Sequence, residues 1–185
     1  MSAHNQTIRS VYDSNDYYDK RSYAERLNPQ FHEALTKFVP CTTHDDIVDH
    51  ELREADDSHA KDTSGVDASV GPHDFAFRAR PATGGKDLPI RYTSRNGDAA
   101  EYQKWQDGDV APDFILFAIS DDDEQLGSVA VIDADRLADA AVNGRIDPAG
   151  PYPSSTPDGA YEGEAVYISM SKIVAADALE SFVDL

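Results

Sequence analysis

A mixed α/β domain, with one central sheet flanked by helices, is the architecture that these 185 residues predict. Three observations carry it. The run PDFILFAIS, Pro112 to Ser120, is apolar without polar alternation, as a strand buried on both faces would be. The segment SVAVIDADRLADAAVNGRI turns from a strand at Val129–Ile132 into a helix. Phe31, Leu35 and Phe38 recur at i, i+4 and i+7, the spacing of one helix face.

Taken in order, residues 1–20 are polar and read as an arm or a short helix, with 21–185 as a single domain. Asn28 and Pro29 suit the N-cap and first turn of a helix that Pro40 stops, after a short helical piece with Tyr23 and Leu27. The charged stretch from Thr43 to Gly65 has Ile47, Val48 and Leu52 as its only large apolar residues, so it predicts a loop with a short strand or a turn of helix. VDASV and HDFAFRARP are two strands joined at Gly71-Pro72, and LPIRYTS is a third strand or extended segment. AAEYQKWQDG is helical. Asp133 or Asp135 caps the next helix and Gly144 ends it. Residues 147–163, rich in Pro, Gly and Ser, predict a loop, and EAVYISMSKIVAADALESFVD a closing strand and short helix.

Charge is the dominant compositional feature. The net charge is −19, with 26 Asp against 9 Glu and 6 Lys against 10 Arg, spread along the whole chain. Short carboxylates hold water and cations close, whereas lysine stems cover apolar surface. The composition resembles that of proteins from extreme halophiles, whose cytoplasm is molar in salt. At such ionic strength the Debye length is only ~3 Å, so net acidity does not argue against DNA as a partner. The even spread of acid argues against a DNA mimic. One cysteine, Cys41, excludes an internal disulfide framework. No run approaches the ~20 apolar residues of a membrane span, and the N-terminus lacks an apolar signal core. A cytoplasmic or virion location is the expectation.

Asp67 enters the first of the two adjacent strands, and Arg78 and Arg80 stand on the second. Taken alone, Asp67 reads more readily as a turn residue than as a ligand, and the arginines equally as the solvated face of a half-buried strand and as phosphate contacts. HDDIVDH offers His44, Asp45, Asp49 and His50 as a metal cluster, although such runs are usually solvated loops. Tyr102 and Trp105 suit either base stacking or a core. There is no P-loop and no Rossmann glycine pattern.

The order of SGVDASV, FRARP, LPIRYTSRNGDAAEYQKW and APDFILFAIS, with VAVIDADRL and VYISMSKI after it, resembles a phage and mobile-element branch of the restriction-endonuclease-like nucleases, the PD-(D/E)XK class. The likeness runs from about Phe31 to the C-terminus and is one of order and spacing. It implies a restriction-endonuclease-like fold and Mg2+-dependent cleavage of DNA. Asp67 matches the metal-binding Asp and Arg78 the catalytic Lys or Arg. Glu33 or Glu25 matches a helix-borne metal ligand, and Arg80, Arg91 and Arg95 would line the phosphate side. The pattern departs at residue 76, where an acid or amide is expected and Ala76 stands, with Phe77 beside it. Either another carboxylate substitutes (Glu101, Asp87, Asp74 or the Glu51/Asp57 group) or the fold has lost its chemistry.

Two functions follow as expectations. One is a small nucleic-acid-acting protein of a haloarchaeal virus or mobile element, endonuclease-like, with Mg2+ as cofactor and Asp67, Glu33 and Glu101 as metal ligands. The other is a non-catalytic structural, adaptor or interaction module on the same fold, with a second copy or a viral or mobile-element protein as partner.

Overall fold

The computed structural model describes residues 15–50, 66–82, 85–93, 100–121, 125–155 and 162–185, with only the backbone for 15–26, 154, 155 and 162. In chain order the elements are α1 (Asn15–Phe38), a 3-10 turn (His44–Asp46), β1 (Ile47–Asp49), β2 (Ala68–Val70), β3 (His73–Pro81) and β4 (Leu88–Thr93). Then come α2 (Glu101–Gln106), β5 (Phe114–Ser120), β6 (Leu126–Asp133), α3 (Ala134–Val142), β7 (Ala149–Ser155), β8 (Glu162–Ile168), α4 (Met170–Ala175) and β9 (Leu179–Asp184).

The protein is mixed α/β, but its strands form two sheets rather than the single central sheet expected from the sequence. The larger has the order β1-β2-β3-β5-β6-β9, and the smaller the order β4-β8-β7. In the larger sheet β3 and β5 run parallel and the other neighbours antiparallel. β4 lies in the crossover between β3 and β5. It pairs instead with β8, and the small sheet is antiparallel throughout.

Period-two alternation sorts the core into two layers. Phe75, Leu116, Val129 and Val131 face Leu27, Phe31, Ala34 and Leu35 of α1. Ala76, Ile115, Phe117 and Ile132 face the opposite way, onto α2, α3 and the Leu88, Ile90, Val166 and Ile168 face of the small sheet. β5 is thus buried on both sides, as its unbroken apolar run requires. The β2–β3 hairpin turns at Gly71, whose φ of 58° suits glycine. Asp133 accepts a hydrogen bond from the Arg136 N–H and caps α3, and Gly144 follows its end with φ 69°.

Three expectations change. α1 runs unbroken from Asn15 through Pro29, so Asn28 is not an N-cap and there is no separate earlier helix. An interior proline costs about 3 kcal/mol, but burying Leu27, Phe31 and Leu35 contributes about 1.5–3 kcal/mol each. The stretch 147–163 is not all loop, because its first half forms β7. Pro151 and Pro153 fit there because β7 is an edge strand, where a missing N–H costs no ladder bond. The C-terminus adds β9, which covers the open edge of β6. No helix among the described residues is long and apolar enough to cross a membrane.

Candidate functional site

Asp67, Arg78 and Glu101 converge on the face of the large sheet that carries Ala76. By the hairpin register Asp67 stands beside β3, one step past the Ala68–Phe75 pair, and its carboxylate accepts the Phe77 N–H at 2.5 Å. Arg78 Nη1 lies 3.2 Å from Asp67 Oδ2 and also donates to the Phe77 carbonyl at 2.8 Å. Its other terminal nitrogen, Nη2, is 3.6 Å from Glu101 Oε2 in the first turn of α2. The three side chains are only 21% (Arg78), 15% (Asp67) and 12% (Glu101) exposed. Burial disfavours the Arg78 charge, but Glu101 and Asp67 outweigh it and hold the guanidinium above its ordinary pKa.

A second polar chain lies beside this one on β2 and β3. His50 Nε2 is 2.7 Å from Ser69 Oγ, which donates to Asp74 Oδ1 at 2.5 Å. His50 and Ser69 are buried. Asp74 is therefore a strand residue paired across the hairpin, not a turn residue. Asp49 points to the other side of the sheet, 3.4 Å from His32 of α1, while His44 and Asp45 are exposed. The HDDIVDH run thus divides between two faces of the sheet and does not assemble a cluster.

The remaining sequence candidates scatter. Glu33 pairs with Lys37 on α1 at 2.9 Å. That helix stacks Phe31 on Phe77, so it covers the face opposite Arg78 and Glu33 does not join Asp67. Tyr102 and Trp105 belong to the core, and base stacking is not open to them. The Asp87 carbonyl, rather than its carboxylate, accepts from Arg80 Nη1 at 3.1 Å. Arg91 is exposed on β4. Arg95, Glu51, Asp57 and the Glu25 side chain lie outside the described residues.

The donor set does not fit Mg2+. A hard cation of this kind takes six oxygens in near-octahedral array. Among the described residues two carboxylates meet here, and both are turned to a guanidinium. No group of three or more His, Cys, Asp or Glu that could hold a metal occurs among the described residues. Ala76 is wholly buried in the core beneath this site, so residue 76 has no part in it. The second carboxylate comes from α2 instead, and only the packing of that helix on the sheet brings Glu101 there. The sequence carried no signal for the His50–Ser69 contact beyond the polar parity of Asp67 and Ser69.

The chain matches no family model, no curated protein and no solved structure. Its function therefore has to be argued from its own geometry.

Proposed function

We propose that this chain is a non-catalytic interaction module with an α/β fold, working in molar salt. The observation that carries this reading is the placement of the Arg78 guanidinium between Asp67 and Glu101. The two carboxylates hold the guanidinium from either side and tie the start of β2, β3 and α2 together. They act as a structural clamp, and a phosphate or a cation would have to break it to enter. Buried ion groups of this kind specify geometry more than they add stability.

One observation favours the alternative, a metal-dependent nuclease of the restriction-endonuclease-like kind. Glu101 supplies a second carboxylate where residue 76 supplies none, and among the described residues its buried Oε1 meets no hydrogen-bond partner. A single experiment separates the two readings. Supercoiled plasmid and single-stranded DNA are incubated with the protein in molar KCl with Mg2+ or Mn2+. We expect intact DNA. Metal-dependent nicking that disappears in both Asp67→Asn and Asp67→Ala would overturn the proposal in favour of the nuclease.

A further inference from the structure

The small sheet has one face in the core. Leu88, Ile90, Val166 and Ile168 alternate inward, so their neighbours alternate outward. Across the outer face two rows run over the three strands: Pro89–Tyr167–Ala149 and Arg91–Ala165–Tyr152. The Tyr152 and Tyr167 rings sit 6.2 Å apart. Tyr152 is 55% exposed, an unusual setting for so large a ring. Arg80 reaches over from the end of β3, with its guanidinium 5.4 Å from the centre of the Tyr167 ring.

This face is built, not incidental. Arg80 is held by the Asp87 carbonyl and lies against Gly85, where a Cβ would come within 3.2 Å of Nη1. Among the described residues no carboxylate pairs with it. Among the described residues a carbonyl and a ring position this guanidinium, and its planar fork has the geometry that suits phosphate. Gly150, with φ 111°, sits under Tyr152. A Cβ there would lie 2.9 Å from the Tyr152 nitrogen and 3.0 Å from the Ala165 oxygen. The strand can therefore close on β8 and set the two rings side by side only with glycine at this position.

We propose that this face binds single-stranded nucleic acid, with bases stacking on Tyr152 and Tyr167 and phosphate meeting Arg80. Aromatic rings and an arginine on one small sheet surface match the chemistry of an unpaired strand, whose bases offer π-faces and whose backbone offers anions. In a duplex the bases are stacked on one another and the rings have nothing to receive. Molar salt reduces the reach of the protein's acid to ~3 Å, so a polyanion can approach, while contact-range stacking persists. The inference names a partner for the interaction module proposed above and rests on that reading.

The test is fluorescence anisotropy with a labelled oligo-dT of about 15 nucleotides, within the ~4–16 that such surfaces occupy, in 2 M KCl with EDTA. We expect saturable binding. Tyr152→Ala should weaken it about 5- to 150-fold, the equivalent of about 1–3 kcal/mol for one stacked base, and Arg80→Gln should weaken it as well. One phosphate contact predicts a fall in affinity of about twofold between 1 M and 3 M KCl. No binding by the wild type, binding unchanged in Tyr152→Ala, or equal binding to a duplex of the same length would each overturn the assignment. Cleavage of the oligonucleotide when Mg2+ replaces EDTA would instead count against the non-catalytic reading, so the two failures are distinct.

Discussion

Arg78 and Arg80 stand two residues apart on β3, on the same side of the strand, yet they have opposite surroundings. Arg78 is enclosed between Asp67 and Glu101 under α2. Arg80 lies over Tyr167 and is held by a backbone carbonyl, with no acid paired to it among the described residues. One arginine is spent on the fold and the other faces outward. Spacing and residue type are the same in both cases, so neither decides the role. What decides it is which element packs over each position: a helix with an acid in its first turn, or a small sheet with a ring.

Mutations at the two positions test this contrast, and the largest effect should come from the clamp. Arg78→Ala leaves Asp67 and Glu101 facing each other with little water. It should destabilise the protein by about 3 kcal/mol, the lower end of the cost of stranding buried charge. Urea unfolding in molar KCl checks this, and a loss below about 1 kcal/mol, typical of an exposed pair, would erase the distinction between the two arginines. Arg80→Ala should cost no more than about 1 kcal/mol, the scale of one partly exposed cation–π contact. A large loss of stability there would make Arg80 a second structural residue and weaken the case for an open face.

The smallest effect concerns Tyr102 in the core. Burial, reinforced by Tyr92 and Asp147, raises the Tyr102 phenol above its ordinary value of 10.0. A group raised in the folded state contributes stability that is complete below the unfolded pKa and is lost as pH rises through the folded one. Tyr102→Phe should therefore match the wild type near neutrality and lose less stability above about pH 10. Unfolding midpoints measured on either side of that pH would show the difference, and parallel curves for the two proteins would contradict it.

Much of the secondary structure was legible because it rests on local signals. The β2–β3 hairpin follows from Gly71-Pro72 between alternating runs, β5 from its unbroken apolar stretch, and α3 from the Asp133 cap. The misreadings came where tertiary context overrode a local signal. Pro29 marks a helix start in sequence, but the apolar stripe on both sides of it holds one continuous helix. Pro151 and Pro153 read as loop because a proline's tolerance depends on whether the strand is an edge, which is a property of the sheet. Within the site, the shared face of Asp67 and Arg78 follows from strand parity. The arrival of Glu101 does not, because it depends on how α2 docks.

By itself, the sequence determined the mixed α/β character, the paired strands that put Asp67 and Arg78 on one face, and an acidity spread evenly over the chain. These depend on periodicity and composition, which act over a few residues or over the whole chain without regard to topology. Only the tertiary structure decided that the strands divide into two sheets, that Glu101 closes on Arg78, and that Arg80 meets Tyr167. Those contacts join residues 23 and 87 positions apart, one across the crossover from β3 to β5 that carries α2, the other between β3 and β8 of the small sheet.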